Sequence, residues 1–304
     1  MNDICIILFY KFEVIDDPQN FRDKHYEFCV NTGLLGKVLV AREGINGSLS
    51  GSREQIESYK KYIRSLPGFS DIEFKEETGT FYPFKKMIVR VKKQIIRLDE
   101  ELDMKQTGKY ITAKELLDIY NSGEEFIILD TRNKYESDVG KFKNALTAGI
   151  DNFREFPKAL ENLRNKKERK IITYCTGGIR CEKATAYMIK EGFTDVYQLK
   201  DGIINFCQEY PDTIWEGKCF VFDQRLISEV DPNNEIISTC SVCTEISDRY
   251  VNCKQPDCDE LVLLCEICGE ELNDCCSENC ANSYSQYLRN KSIQNQGYKF
   301  KNAG

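Results

Sequence analysis

Histidine is almost missing from this chain: His25 is the single one among 304 residues. That excludes a Ser-His-Asp triad and any metal centre built on several imidazoles, non-haem iron included. His25 itself lies in a helix-like, mixed stretch and reads as a surface or packing residue. Long apolar runs are missing too. The opening Ile4-Cys-Ile-Ile-Leu-Phe-Tyr10 is far short of the roughly 20 residues a membrane span needs, and no basic, cleavage-like leader surrounds it. It reads as a buried strand, and no membrane partner is expected. A glycine-rich dinucleotide fingerprint is absent, and nothing signals flavin, haem or nicotinamide. Basic residues number 42 against 49 acids, a formal net charge of -7. That balance argues against a wholesale wrapper of DNA, though not against a local basic patch.

Cysteine is what the chain has in excess, with fifteen. Without a secretory signal, the expected setting is the reducing cytoplasm, where thiols serve metals and catalysis rather than disulfides. One thiol stands apart in Cys175-Thr-Gly-Gly-Ile-Arg180, between the β-prone Ile171-Ile-Thr-Tyr174 and the helix-like Glu182 to Lys190. A cysteine at a strand-to-helix turn sits where main-chain N–H groups and the positive helix end favour a thiolate. Gly177 and Gly178 allow the amides of Thr176 through Ile179 to curl into an anion-holding concavity, and Arg180 adds positive charge. A buried structural thiol is the bland alternative; two glycines, an arginine and this context favour an activated nucleophile. Cys181 is a secondary candidate as a resolving thiol, its better reading being helix packing.

Three segments follow from composition shifts. Residues 1–100 alternate strand and helix signals in the order β-α-β-β-α-β, a ferredoxin-like (acylphosphatase-like) sandwich. Its helices are expected over Asp17 to Thr32 and Ser52 to Ser65, its later strands near Ile72 to Phe74 and Met87 to Val91. Residues 101–217 begin with a helix reading from Ile111 to Tyr120, then alternate strands and helices as a parallel α/β sheet does. The Cys175 loop then falls at the carboxyl end of a strand, where such sheets bind ligands. Residues 218–304 are Cys-rich, and the polar run from Arg289 to Gly304 is expected to be loosely ordered. The whole is a multidomain α/β and α+β chain.

Nine cysteines lie between Cys240 and Cys280. Cys240-x-x-Cys243 and Cys265-x-x-Cys268 have the spacing that offers two thiolates each to one tetrahedral Zn²⁺; Cys253 with Cys258, and Cys275 or Cys276 with Cys280, supply four more. Two zinc ions are expected, with interleaved pairing favoured over sequential and Cys276 expected as the ligand beside Cys280. An iron–sulfur cluster or redox thiol array is the alternative. Four thiolates saturate zinc, so the sites read as structural. Acids flank them, Asp257, Asp259, Glu260, Glu270 and Glu271, which suits bracing or protein contact rather than reading DNA.

Between Tyr82 and Arg97 lie six basic residues (Lys85, Lys86, Arg90, Lys92, Lys93, Arg97) and no acid, beside Phe81, Tyr82 and Phe84. Positive charge among aromatics suits a single-stranded RNA backbone with splayed bases. An edge strand protected by lysines would look the same.

The six-residue loop resembles the sulfur-carrying loop of rhodaneses, as do Asp130-Thr-Arg132, Glu136, Gly140 and Gly192 to Gly202. Ala41-Arg-Glu-Gly-Ile-Asn-Gly-Ser-Leu-Ser-Gly51, Cys175 to Ala184 and the nine-cysteine tail together resemble the tRNA uridine hydroxylase family over nearly the full chain. That resemblance implies oxygen-dependent conversion of the wobble uridine to 5-hydroxyuridine, with the anticodon loop of tRNA as partner and molecular oxygen as co-substrate. It makes Cys175 the nucleophile or persulfide carrier, Arg180 a stabiliser of its anion, and Asp130 and Arg132 braces of the loop. One departure is Tyr82, in Phe81-Tyr-Pro-Phe84, where family members often carry a histidine. A sulfurtransferase moving sulfur from a donor such as thiosulfate would use the same loop, and an adaptor built on the zinc segment would not need Cys175 at all.

Overall fold

The computed structural model describes residues 4–228 and 233–301, with side chains as far as Lys291. In the N-terminal domain, β1 (Ile4–Phe12), α1 (Pro18–Thr32), β2 (Leu35–Ala41), β3 (Gly44–Gly51), α2 (Arg53–Arg64) and β4 (Lys75–Gly79) follow the ferredoxin-like order, and β5 (Met87–Val91) adds an edge strand parallel to β2. The sheet runs β4-β1-β3-β2-β5. Local chemistry sets the helix ends. Asp17 accepts the Asn20 N–H at 3.0 Å and Pro18 opens α1, while Gly33, at φ 77°, closes it. Ser52 and Gln55 form a reciprocal capping box on α2. The fourth strand is Lys75–Gly79 rather than the expected Ile72 to Phe74, because Ile72 turns inward to the helix-side core. His25 is fully buried there, stacked on Phe21 and edge-on to Tyr59, and burial pushes its imidazole down to about 4. It is a core residue.

Helices cover one sheet face, and alternation leaves the other free for the second domain. Cys5, Ile7, Phe9, Ile45 and Leu49 enter the core with Ile56, Tyr59 and Ile63 of α2. Leu8, Tyr10, Leu39, Asn46 and Ser48 therefore face away from the helices, towards the Cys175 loop.

The second domain comprises β6 (Lys109–Ile111), α3 (Ala113–Ser122), β7 (Ile127–Asp130), α4 (Lys134–Ser137), β8 (Gly140–Phe142), β9 (Leu146–Thr147), α5 (Phe156–Ala159), β10 (Ile171–Tyr174), α6 (Ile179–Lys190), β11 (Val196–Leu199) and α7 (Gly202–Glu209). Strands β6-β11-β10-β7-β9 form a parallel sheet. Ile111, expected in a helix, ends β6 instead; the helix starts after Thr112, whose hydroxyl and Glu115 form its capping box. β12 (Trp215–Gly217) pairs with β8, and β13 (Cys219–Phe220) with β14 (Ile227–Ser228). Beyond them, the hairpin β15 (Tyr250–Asn252) and β16 (Leu261–Leu263), α8 (Glu266–Glu271) and α9 (Glu278–Lys301) carry the cysteine cluster. The run from Arg289, expected to be loosely ordered, continues α9 as far as Lys301; its last three residues lie outside the described ones. Among the described residues no helix is long and apolar enough to cross a membrane.

Candidate active site

Strand β10 ends at Tyr174, and Cys175 through Gly178 form the turn into α6. Gly178 adopts φ 98°, the left-handed conformation that bends its N–H onto the Cys175 sulfur at 3.1 Å. The main-chain N–H groups of Arg180 and Cys181 and the Cys181 thiol also donate to this sulfur. Burial alone drives the Cys175 thiol up. These hydrogen bonds, with the Arg180 charge, outweigh it and bring the group down to about 6. Cys181 shows the reverse: burial, then its contact with Cys175, pushes its thiol well above the ordinary range. It is a proton-bearing donor to the neighbouring thiolate.

A thiol held near 6 ionises as pH rises and stays ionised above that value. Alkylation of Cys175 by iodoacetamide is therefore expected to climb between about pH 5 and 7 and to plateau above, since one unit either side of a pKa spans roughly 10 to 90% ionisation. Mass spectrometry of the Cys175 peptide across pH checks this, and a midpoint near the ordinary 9.0 contradicts it.

Arg180 is not a free cation over the loop. Its guanidinium forks onto the Glu136 carboxylate at 2.5 and 2.7 Å, both groups buried, and Thr176 Oγ1 joins the same carboxylate at 3.2 Å. Glu136 thus anchors both ends of the loop, a role its motif position did not reveal. Asp130 and Arg132 form a fully buried pair at 2.6 Å; Tyr174, next to Cys175, donates to Asp130 at 2.7 Å, and Arg132 also donates to the carbonyls of Glu136 and Gly140. Breaking such a pair from one side typically costs about 3–5 kcal/mol. From the other side, α7 packs its first N–H groups on the carbonyls of Cys175 and Thr176 at 3.1 and 3.3 Å. Gly202, at φ 70°, permits this approach; a Cβ there would lie 2.5 Å from the Cys175 oxygen.

Cys175 has no exposed surface, so its sulfur is not at a mouth; the residue is one of those lining a cavity of about 370 Å³ between the two domains. Thr176, Gly177, Ile179 and Arg180 line it too, and a Cβ on Gly177 would meet nothing within 4 Å. The N-terminal sheet forms the opposite wall through Tyr10, Leu39, Asn46 and Ser48. Lys37, Lys75, Arg97, Arg154 and Arg180 line the cavity, and no carboxylate does. The motifs that carried the family likeness meet at its edge: Lys183 of α6, almost wholly buried, bonds both Glu43 oxygens at 2.9 Å, and Tyr10 donates to Glu182 at 3.2 Å. Burial pushes the Lys183 ammonium down, with Glu43 opposing.

Of the basic run, Lys85, Lys86, Arg90, Lys92 and Lys93 are exposed along β5 and its ends, none ion-paired among the described residues, and none lines the cavity. Arg97 does line it, paired with Asp99 at 2.8 Å. Register links the run to the cavity. Arg90 stands in one cross-strand row with Leu39, Asn46 and Tyr10.

The cysteine tail forms two tetrads: Cys240, Cys243, Cys265 and Cys268; and Cys253, Cys258, Cys276 and Cys280, the sulfurs of each within 4.8 Å of one another. The pairing is interleaved, and Cys275 instead turns its sulfur to the Asn273 carbonyl. Sulfur separations of 3.6, 3.7 and 3.6 Å (Cys243–Cys265, Cys258–Cys276, Cys276–Cys280) match the edge of about 3.8 Å expected of a tetrahedron with Zn–S near 2.3 Å. Each tetrad fits one ion, with no room for a multi-iron core. Tyr250 of this module donates to the Tyr135 carbonyl at 2.7 Å, next to Glu136.

Three domain families match successive parts of the chain. The UPF0176 acylphosphatase-like domain family matches residues 4–95, the rhodanese-like domain family residues 112–209, and the rhodanese C-terminal family residues 216–281. A Cytophaga hutchinsonii protein named tRNA uridine(34) hydroxylase is 43% identical over 92% of this chain and 90% of its own length. A Bacillus licheniformis protein of the same name is 39% identical over 97% of this chain and 92% of its own. A solved rhodanese-like domain protein from Staphylococcus aureus covers 31% of this chain and 86% of its own, with 26% identity and a TM-score of 0.28.

Proposed function

This chain belongs to the tRNA uridine(34) hydroxylase family, and from that premise we propose that it hydroxylates the wobble uridine of tRNA at C5, with Cys175 as its nucleophile. The observation that carries the reading is that Cys175, whose thiol its hydrogen bonds and Arg180 bring down to about 6, is among the residues lining a cavity that is rimmed by cations and free of carboxylates. A nucleotide brings phosphates for the cations and a planar base for the apolar and amide-bearing walls. The exposed cations of β5 would lead the anticodon loop toward that cavity, Arg90 sharing a row with its wall.

The thiolate would add at C6 of the uracil, which makes C5 an enolate-type nucleophile. C5 then takes one oxygen atom from dioxygen, the co-substrate that the family likeness implies. The second oxygen leaves as water, using two electrons and two protons from an external reductant. Loss of the C5 proton and expulsion of the thiolate restore the double bond and give 5-hydroxyuridine. Gly178, Arg180 and Cys181 hold the sulfur as an anion before addition and after release. The two cysteine tetrads would carry structural zinc, with no coordination position left for substrate. A reducing cytoplasm is the setting in which all these thiols stay functional.

The test is nucleoside mass spectrometry of tRNA from cells with and without this protein: 5-hydroxyuridine is expected only with it. A sulfurtransferase acting without RNA would leave the nucleoside profile unchanged, and thiosulfate would instead leave one extra sulfur on Cys175.

A further inference from the structure

Four of the residues lining the Cys175 cavity are exposed: Lys37, Arg97, Arg154 and Phe222. The part of the lining that meets solvent is therefore three cations and one aromatic ring. Phe222 is 58% exposed, yet its position is fixed. Val221 N–H donates to the Leu226 carbonyl at 2.8 Å and Leu226 N–H to the Asp223 carbonyl at 3.1 Å, closing the turn between β13 and β14. Arg225 pins that turn to Asp223 at 2.6 Å and to Glu77 of β4 at 2.7 Å. Gln224 N–H donates to the Pro83 carbonyl at 3.1 Å, which ties the turn to the segment leading into Lys85 and Lys86. The Arg180 guanidinium lies 5.7 Å from the centroid of the Phe222 ring, and Phe220 meets the ring edge-on at 5.3 Å. Single exposed apolar side chains occur on any surface. This one is held among cations at the edge of a cavity, where a flat ligand would recover the burial that the ring forgoes.

We propose that Phe222 is a stacking platform for a nucleobase next to the target uridine, with Lys37, Arg97 and Arg154 taking the phosphates around it. The inference rests on the proposed function for the identity of the RNA. A cavity of about 370 Å³ is the size that one small ligand fills, so a single nucleotide enters and its neighbours stay at the rim. Every base offers a π-face, and a ring beside cations is how single-stranded RNA is held without reading its sequence. Arg97 also pairs with Asp99 at 2.8 Å and Arg154 donates to Asn152 Oδ1 at 3.1 Å, so both guanidiniums are oriented before RNA arrives. Lys37 stands in register with Ile88 of β5, which puts the rim beside the basic run on that strand. No carboxylate lines the cavity to repel a phosphate. Stacking on a ring that touches Arg180 fixes how far the strand advances, and so where the target base stops relative to Cys175. Phe222 is in this sense a positioning residue.

The experiment uses the full-length, metal-loaded protein and a fluorescein-labelled anticodon stem-loop RNA with uridine at position 34, its affinity read by anisotropy. Two further loops lack only the base at position 33 or only the base at position 35. Phe222→Ala is expected to weaken binding of the intact loop by roughly 5- to 150-fold, the range that alanine substitution gives for one stacked base. Removing the stacked base should weaken the wild type to a similar extent and add little to the loss in Phe222→Ala, since both changes delete one contact. Phe222→Tyr keeps the ring and should bind as the wild type does. Metal content and urea midpoints equal to wild type establish that the variants are folded, and the base-deleted loops test the contact on the wild type itself. A Phe222→Ala variant that binds the intact loop as well as wild type does overturns the proposal. So do equal proportional losses for all three loops, a Phe222→Tyr as weak as Phe222→Ala, and a wild type that binds none of the loops. Binding that depends on Phe222 and one flanking base, in a protein that makes no 5-hydroxyuridine, would sustain this inference and remove the proposed reaction.

Discussion

Replacing Cys175 by alanine is expected to abolish 5-hydroxyuridine in tRNA while the protein stays folded. The reaction proposed for the cavity needs a thiolate to raise electron density at C5, and no other group there can supply it. Cys181 does not line the cavity and its thiol is pushed well above the ordinary range, so it cannot replace the missing sulfur. The drop should be at least about 1,000-fold, as when the nucleophile of other covalent catalysts is removed. Folding should survive because the loop is held by other groups: Glu136 on Thr176 and Arg180, Asp130 on Tyr174, and the α7 amides on the carbonyls of Cys175 and Thr176. Stability carries a second signature. The thiol is lower in the folded protein, about 6 against 9.0, so the folded state favours the thiolate. That contribution is complete above 9.0 and disappears as pH falls through about 6. Urea unfolding of the alanine variant should lack this slope between those values. Unchanged modification in the variant would dismiss Cys175 as the nucleophile.

Removing metal should have the next largest effect, on structure first. The tail module has only small apolar clusters, such as Leu264 with Val251 and Val262, so its folding leans on its thiolates. Structural zinc in comparable small modules binds with apparent free energies of about 10–16 kcal/mol near neutral pH, more than such clusters can replace. Elemental analysis should find two zinc ions per chain, one for each tetrad. Cys268→Ser should lose one and Cys253→Ser the other, each opening residues 240–280 to protease. The damage should reach the cavity, because the Tyr250 hydroxyl holds the Tyr135 carbonyl and both rings pack on Phe220, beside the Glu136 that anchors Arg180. Slower hydroxylation after chelation, with the parallel sheet intact by circular dichroism, is the expected pattern. Protease resistance unaltered by complete metal removal would show that the module needs no ion.

Local chemistry is what could be read from residues in order. Capping pairs such as Ser52 with Gln55, the glycines after Cys175, and the spacing within each cysteine pair act over a few positions, so adjacent letters suffice to recognise them. Errors occurred where an apolar run had two uses: Ile111 could start a helix or end a strand, and Ile72 could sit in the sheet or below it. The site's second half was illegible. Asn46 and Ser48 look like turn residues, and only pairing with β1 and β2 sets them on the free face of the sheet. Glu136 stood in a recognised motif, yet its grip on Arg180, 44 positions away, is invisible without coordinates.

The sequence by itself determined that a cysteine follows a buried strand in a glycine turn and that eight cysteines come in four pairs, because those features depend on contacts between near neighbours. Tertiary structure alone decided that Cys175 is buried among the residues lining a cavity rather than at an opening, that Cys276 rather than Cys275 completes its tetrad, and that a polar stripe of the first domain lines that cavity with the Cys175 loop of the second. The first and last of these depend on strand register and on how two sheets dock, which pair residues more than a hundred positions apart, as Glu43 with Lys183 does over 140.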